Sequence, residues 1–183
     1  MKEYFRNLIA YLRGACFLFF SIFRKKSKIG KGLRLFRGSS IDTCKGASCV
    51  IQRGVKIREW STIRIRKESS LVLEEGVSVG MRNIIICHER IEIGAGTLLS
   101  PNVSIYDHNH KFDYNEIKRN EFSCSPIVIG KNCWIGANTI ILKGTIVGDN
   151  CIVGAGSILN GVYPSNSVIV QKKQTDIIER GIK

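Results

Sequence analysis

Between residues 127 and 159, every sixth position carries an aliphatic side chain: Ile129, Ile135, Ile141, Val147, Val153 and Leu159. Glycine directly follows four of these positions, and a small residue stands four places after most of them. A period of six is neither the 3.6 of an amphipathic helix nor the 2 of a half-buried strand. It is typical of a parallel β-helix, where each hexapeptide forms a short strand and a turn and stacked copies share one core. We therefore predict an all-β solenoid.

A looser form of the repeat begins near residue 28. In each copy, a segment in which apolar residues alternate with others is followed by a turn and then by a second segment of the same kind. The turn residues are Gly32, Gly54, Gly76, Gly96, Asn132 and Asn150. Gly and Asn suit such turns because they accept left-handed backbone angles at low cost. The turns lie 22, 22, 20, 36 and 18 residues apart, and 18 residues make one circuit of a three-sided coil. We predict that the β-helix covers residues 28–170, with the interval of 36 being either two circuits or one circuit with an inserted loop.

The segment 106–126 interrupts the repeat. It carries two of the three histidines, many polar residues and no aliphatic ladder. The aliphatic phase is kept across it, since Ile105 and Ile129 are 24 residues apart. We expect a loop that projects from one corner while the solenoid continues, and loops held by a rigid scaffold often carry the chemistry of a protein.

Chain length and cysteine usage indicate a single domain in a reducing compartment. The chain has 183 residues, with 18 Gly and only three Pro, as expected of a turn-rich, helix-poor domain. Its seven cysteines lack paired close spacing, and Cys133 and Cys151 stand where the repeat requires small residues. We expect thiols packed as small apolar groups and a cytoplasmic location.

Positive charge is concentrated near the N-terminus. The formal net charge is +13, and residues 1–37 hold ten Lys or Arg against Glu3 alone. Such a block could meet nucleic acid, but the neighbouring apolar residues fit an anionic membrane surface better, so we expect no nucleic acid partner. At the other end, residues 171–183 are predicted to form a short basic tail.

The first 27 residues are predicted to form a helix. Residues 4–23 are mostly apolar and RKKSK follows them, but the uninterrupted run after Arg13 is too short to span a bilayer. No small-residue cleavage site follows, which argues against a signal peptide. Two interpretations stay open and are compatible. The helix lies on a membrane surface, or it caps the solenoid by burying Phe17, Phe20 and Phe23.

The hexapeptides, the segment NHKFD (109–113) and the stretch IVIGKNCWIGANTIILKG (127–144) together resemble the hexapeptide-repeat acyltransferases. Closest in layout are the galactoside, maltose and xenobiotic acetyltransferases, together with O-acetyltransferases of capsule and O-antigen assembly. The resemblance covers residues 70–170 well and residues 28–70 by repeat alone. It implies a left-handed β-helix, which is an exception to the usual handedness of parallel crossovers. It also implies a homotrimer with three acyl-coenzyme A sites between adjacent prisms.

In these enzymes one loop histidine is the catalytic base, often within Asn-His-basic-x-Asp after an Asn-Val-x-hydrophobic run. Here NVSI occupies 102–105 and NHKFD 109–113, so the resemblance selects His110, with His108 as its rival. Asp107 or Asp113 would orient the imidazole. A neutral imidazole would take the proton of a sugar hydroxyl as it attacks acetyl-coenzyme A, and a backbone N–H would stabilise the oxyanion.

The resemblance places the coenzyme in the groove beside the regular coils. Trp134 would pack beside the catalytic loop, with a plain exposed or trimer-face aromatic as the alternative. The residues expected to line the pantetheine arm are Gly136, Ala137, Ala155 and Gly156, and those expected at the phosphates are Lys143, Lys172 and Lys173. The Gly-x-Pro-Ala-Lys segment frequent in the family is absent near VIVQKKQ (168–174).

Acceptor binding in the family falls near Gly80, which makes Asn83, Arg82, Tyr106 and Asp107 the candidates for substrate contact. We expect an acetyl-coenzyme A-dependent O-acetyltransferase that acts on a glycan of a bacterial surface polysaccharide or its precursor, without a metal. It would work in the cytoplasm, with the inner face of the cytoplasmic membrane as a further candidate location.

Three alternatives remain for the function. One is an N-acetyltransferase that acts on a nucleotide-linked amino sugar. Another is a carbonic anhydrase-like metal protein that uses His88, His108 and His110, since imidazole is a good zinc ligand. The third is a scaffold without catalytic activity.

Overall fold

A computed structural model describes residues 2–21 and 26–172. The chain starts with one helix, α1 (Lys2–Ser21), and then winds a left-handed parallel β-helix. Its strands form three parallel sheets of seven, seven and six strands, and a fourth sheet of two strands. The predicted solenoid is therefore confirmed.

The strands follow one another coil by coil. The first coils contain β1 (Ser27–Ile29), β2 (Arg34–Leu35), β3 (Ser40–Thr43), β4 (Ser48–Ile51), β5 (Lys56–Ile57), β6 (Thr62–Ile65), β7 (Ser70–Leu73), β8 (Ser78–Val79) and β9 (Ile84–Cys87). The fourth coil contains β10 (Arg90–Ile93), β11 (Leu98–Leu99) and β12 (Ser104–Tyr106), and a hairpin of β13 (His108–Phe112) and β14 (Ile117–Cys124) follows it. The remaining coils contain β15 (Ile127–Ile129), β16 (Trp134–Ile135), β17 (Ile140–Leu142), β18 (Ile146–Val147), β19 (Ile152–Val153), β20 (Ile158–Leu159), β21 (Val162–Tyr163) and β22 (Val168–Ile169).

Each complete coil contributes one strand to each face of a triangular prism. The first face runs β1-β4-β7-β10-β15-β18-β21, the second β2-β5-β8-β11-β16-β19-β22, and the third β3-β6-β9-β12-β17-β20. We call the turn from the third face of one coil to the first face of the next the return corner. In a three-sided prism this corner lies opposite the second face.

The aliphatic ladder fills the prism interior as predicted. All six of its members, Ile129, Ile135, Ile141, Val147, Val153 and Leu159, are at most 1% exposed and belong to one core cluster. The predicted turn residues all have left-handed backbone angles, including Asn132 at a φ of 53° and Asn150 at 57°. Pairing of Leu99 with Ile135 across neighbouring coils shows that the interval of 36 is one circuit with an insertion.

Helix α1 closes the N-terminal end of the core. A Cβ added to Gly14 would clash with the carbonyl oxygen of Leu33, so the helix backbone lies directly against the first coil. Phe17 packs against the core cluster, and the guanidinium of Arg13 donates to the carbonyl of Phe36 at 2.7 Å. These contacts agree with the capping interpretation for the middle of the helix.

Two details of the N-terminal prediction differ from the structure. Phe20 is 63% exposed rather than buried, because it lies past the stretch of α1 that contacts the coil. The described helix ends at Ser21, short of residue 27. Phe23 lies outside the described residues, as do residues 173–183 of the predicted tail.

Within the described residues, no helix has the length and apolar character needed to cross a membrane.

Candidate active site

The insertion after the fourth coil, expected as a loop, is an antiparallel hairpin. Strand β13 pairs with β14, and a register shift lies between His110 and Lys111. The turn of the hairpin is built around Asp113, whose carboxylate accepts the N–H groups of Asn115 at 2.9 Å and Glu116 at 3.1 Å. Such an Asx turn explains how this polar segment folds without an aliphatic ladder.

Asp107 fixes the root of the hairpin to the return corner of the preceding coil. Its side chain is fully buried. Its carboxylate accepts the backbone N–H groups of His88 and Glu89, both at 2.8 Å, and of Arg90 at 3.0 Å. A buried carboxylate is stable only with such compensation. The observed contacts therefore give Asp107 a structural role at this corner.

The same carboxylate contacts one of the two candidate bases. Asp107 Oδ1 lies 3.3 Å from Nδ1 of His108. The alternative orienting group, Asp113, is used by the hairpin turn and by Lys118, whose Nζ is 3.1 Å away. The predicted carboxylate–imidazole pair thus forms at His108 rather than at His110.

Three imidazoles surround one phenyl ring at this corner. The rings of His88 and His108 stack at 3.9 Å with an angle of 30° between their planes. The ring of Phe122 lies 4.2 Å from His88, 5.4 Å from His108 and 4.7 Å from His110. Tyr106, on the third face, presents its ring edge-on to His108 at 6.2 Å.

The environment of the cluster keeps His88 neutral. Desolvation by burial, reinforced by His108, lowers the pKa of His88 from 6.5 to about 4. Burial and the charge of Asp107 also raise the pKa of the neighbouring Cys87 thiol to about 12. At pH 7 the side of the cluster that faces the solenoid is therefore an uncharged imidazole next to an uncharged thiol.

The metal-binding alternative lacks support in this arrangement. Within residues 2–21 and 26–172, no group of three or more His, Cys, Asp or Glu side chains could hold a metal ion. His88 and His108 meet by their ring faces, whereas a zinc site needs nitrogen lone pairs that converge on one point.

His110 is the exposed imidazole of the cluster. It is exposed on β13, whereas His108 is half-buried. Across the hairpin it pairs with Phe122, so its position depends on the packing of that ring. An exposed neutral imidazole on a rigid element can accept a proton from a bound hydroxyl.

Lys143 supports the hairpin from the coil that follows it. Its Nζ donates to Ser123 Oγ at 2.5 Å, which places this lysine at the return corner of the fifth coil. We predicted a contact with coenzyme phosphates for this residue. The observed hydrogen bond instead directs its charge toward the hairpin.

Trp134 lies on the second face, away from the hairpin of its own chain. Its indole N–H donates to Ser100 Oγ at 2.9 Å, and the side chain is 52% exposed. Within one chain Trp134 therefore does not pack beside the hairpin, because the return corner lies opposite the second face.

The small residues expected at the pantetheine arm share the corner between the second and third faces. Gly156 N–H donates to the carbonyl of Ala137 at 2.7 Å, which joins two successive coils. A Cβ at Gly136 would come within 2.6 Å of the amide nitrogen of Ala155. Close stacking of the coils already requires a glycine at position 136. Lys172 is exposed at the end of the described chain, and Lys173 lies outside it.

Of the acceptor candidates, Asn83 is contradicted by its burial. It is 0% exposed, and its Oδ1 accepts the N–H of Val103 at 2.8 Å, so it cannot contact a surface ligand. Arg82 is exposed on the corner between the second and third faces with a φ of 55°. Only Tyr106 and Asp107 lie beside the imidazole cluster.

From the sequence, His88 was considered only as a zinc ligand of the carbonic anhydrase-like alternative, and Phe122 was not singled out. His88 follows β9 as Asp107 follows β12, and these strands pair in register. That alignment is a signal that could have placed His88 at the hairpin root. No comparable signal existed for Phe122, because its position depends on the register of the hairpin.

Comparisons with known proteins agree with this architecture. The family described as the hexapeptide repeat of succinyl-transferase matches residues 126–160. The N-acyltransferase AntD of Bacillus cereus, solved with dTDP and coenzyme A, superposes with a TM-score of 0.65 at 16% identity, over 85% of this chain and 86% of that one. At this identity the match shows the fold.

Sequence relatives carry acetyltransferase names. A Dictyostelium discoideum protein named as an acetyltransferase is 36% identical over 130 residues, which is 71% of this chain and 68% of that protein. A Mycobacterium tuberculosis protein named as a probable acetyltransferase is 32% identical over 78% of this chain. WbbJ of Escherichia coli, named as a lipopolysaccharide biosynthesis O-acetyl transferase, is 37% identical over 44% of this chain. The chain spans about half the length of these last two relatives, 46% of each.

The repeat and the match over two thirds of the Dictyostelium protein show that this chain belongs to the hexapeptide-repeat acetyltransferase family.

Proposed function

We propose that this chain is an acetyl-coenzyme A-dependent O-acetyltransferase that modifies a sugar hydroxyl of a bacterial surface polysaccharide or of its precursor. The observation that carries the proposal is the exposed His110 on a hairpin that the return corners hold in place. Family membership supplies the reaction class. The name of WbbJ, a lipopolysaccharide biosynthesis O-acetyl transferase, supports the class of acceptor.

In the proposed reaction, His110 is the general base. Its neutral imidazole takes the proton of the acceptor hydroxyl while the hydroxyl oxygen forms a bond to the thioester carbon. The C–S bond then breaks, and the imidazolium returns its proton to the leaving thiolate. The acetyl group moves directly to the sugar, so no acyl-enzyme is needed.

Acetyl-coenzyme A is the proposed co-substrate. Its arm would follow the corner formed by Gly136, Ala137, Ala155 and Gly156, next to Trp134, with the exposed Lys172 near the phosphates. Successive coils pack closely there, and the small side chains would let an extended ligand approach the main chain. Structures that share the fold are complexes of AntD with coenzyme A.

The proposed site needs two chains. The hairpin projects from the return corner, and Trp134 lies on the opposite face of the same prism. A cleft that contains both His110 and Trp134 must therefore use the hairpin of one chain and the second face of a neighbour. This geometry supports a homotrimer with three shared sites, since rings of identical chains close through heterologous contacts of this kind.

Peripheral contact with an anionic membrane is also part of the proposal. The side of α1 that faces away from the solenoid exposes large apolar residues, including Phe5 at 61%, Ile9 at 50% and Leu12 at 58%. Basic residues dominate the surrounding sequence. This combination suits an interfacial helix, which would keep the enzyme on the inner leaflet, near lipid-linked sugars.

Labelled acetyl-coenzyme A tests the proposal directly. The protein is incubated with sugars, nucleotide sugars and lipid-linked oligosaccharides, and the position of the label is determined. We expect an ester on a glycan hydroxyl. Label on an amine would replace the proposal with N-acetylation, and absence of transfer together with absence of coenzyme binding would favour a scaffold.

A further inference from the structure

We propose that His88 is a positioning residue, which holds the hairpin against the solenoid and thereby fixes the location of His110. The inference rests on the proposed function only in taking His110 as the base. His88 belongs to the return corner of the third coil, whereas its ring partners His108 and Phe122 belong to the hairpin. His88 is thus the residue by which the solenoid contacts the rings of the hairpin.

The contacts of His88 reach both strands of the hairpin. Its ring stacks on His108 of β13 at 3.9 Å and lies 4.2 Å from Phe122 of β14. Phe122 in turn lies 4.7 Å from His110. A continuous line of ring contacts therefore leads from the scaffold to the proposed base.

Other contacts fix the root of the hairpin but not the ring cluster. Asp107 binds the backbone of residues 88–90, and Lys143 binds Ser123 from the following coil. These bonds hold the two ends of the insertion. The part of β13 that carries His110 depends on the stack of His88, His108 and Phe122.

The stack favours an uncharged His88. The groups that act on it are His108 and His110 from the hairpin, Asp107 at the hairpin root, and Arg66 from the corner of the second coil. Protonated histidines and Arg66 repel a positive charge on His88, and Asp107 attracts it. Since burial and the positive groups prevail, the pKa of His88 falls to about 4.

The sign of the pH effect follows from this lowered pKa. A free imidazole binds a proton as the pH falls below 6.5, whereas docked His88 resists protonation until about 4. Docking of the hairpin is therefore fully favoured above pH 6.5 and weakens as the pH falls from 6.5 toward 4. Below about 4 no further loss arises from this group.

Two substitutions separate positioning from general stability. His88→Phe keeps an aromatic ring but cannot titrate, and His88→Ala removes the ring. Lys45→Ala, at the exposed return corner of the first coil, is the matched control. Each variant is measured by steady-state kinetics and by amide hydrogen exchange of residues 108–124, at pH 7.5 and pH 5.5, with exchange corrected for intrinsic rates.

We expect His88→Ala to lower kcat by roughly two- to tenfold, the equivalent of one aromatic contact, and to leave the KM for acetyl-coenzyme A unchanged. Hairpin exchange should accelerate by a similar factor. His88→Phe should restore slow exchange and, unlike the native chain, keep it at pH 5.5. Lys45→Ala should behave as the native chain in all measurements.

Unchanged hairpin exchange in His88→Ala would overturn the inference, as would His88→Phe behaving like His88→Ala. These outcomes are distinct from a failure of the proposed function. If His110→Ala retained full turnover while hairpin exchange followed our expectation, the assignment of the base would fail and the positioning role would stand.

Discussion

His110 and His108 stand two residues apart on one strand, but their surroundings differ. His110 is exposed and contacts Phe122, whereas His108 is half-buried between Asp107 and His88. The exposed ring is free to meet a hydroxyl, and the half-buried ring is part of the packing that supports it. This division supports the proposal that His110 is the base and that His108 helps to hold it in place.

Replacing His110 by Ala tests this assignment. Loss of a general base should lower kcat by roughly 10²–10⁴-fold while coenzyme affinity stays close to that of the native chain. His108→Ala should give a smaller loss. Turnover and coenzyme binding are measured on both variants. If the large loss appeared in His108→Ala instead, the mechanism would keep its form but the base would be His108.

The buried carboxylate of Asp107 should contribute to the stability of the fold. Asp107→Ala leaves three part-buried N–H groups without their acceptor, and each lost bond costs about 1 kcal/mol or more, so the free energy of unfolding should fall by about 3 kcal/mol. Chemical denaturation measures this change. Asp113→Ala is the control, since Asp113 serves an exposed turn, and we expect a loss of about 1 kcal/mol or less. Equal effects of the two substitutions would contradict the structural role of Asp107.

Among the elements, α1 has two different sides. One side packs Gly14 and Phe17 on the first coil, and the other exposes Phe5, Ile9 and Leu12. Deleting the helix would expose the core, so a deletion cannot isolate membrane contact. Substitutions on the outer side can, because they leave the packed side unchanged.

The double substitution Phe5→Ser with Leu12→Ser tests membrane contact. Each lost apolar side chain removes about 1.5–3 kcal/mol of burial, so binding to anionic phospholipid vesicles should weaken at least about tenfold. The unfolding temperature should change little. Phe112→Ser with Ile117→Ser, which alters exposed apolar residues on the hairpin, should leave vesicle binding unchanged. Equal binding of the α1 variant and the native chain would remove membrane contact from the proposal.

The elements of the solenoid could be predicted because their pattern is local and repeated. The six-residue ladder from Ile129 to Leu159 and the left-handed turns at Asn132 and Asn150 were all present in the sequence and are confirmed. The hairpin was expected only as a loop. Its register depends on pairing between residues such as His110 and Phe122, and no periodic pattern in the sequence predicts that pairing.

At the scale of the whole molecule, the candidate site was harder to predict than the fold. The position of a residue within the repeat does not by itself show whether its side chain faces the core or a ligand. Asn83 had the right sequence position for an acceptor contact but is buried. Trp134 was expected beside the loop, and within one chain the return corner and the second face lie on opposite sides of the prism. Both cases depend on the direction in which a side chain points, which only the assembled coils determine.

We propose that one active site combines the hairpin of one chain with the second face of another. Subunit complementation is the measurement that tests this arrangement. His110→Ala and Trp134→Ala are each purified and assayed alone, then co-expressed in equal amounts and assayed as mixed oligomers. In random trimers, half of the hairpins and half of the second faces are intact, so about one quarter of the shared sites should be complete. We predict that turnover returns to about a quarter of the native value. Turnover that stays at the level of the separate variants would contradict a site shared between chains.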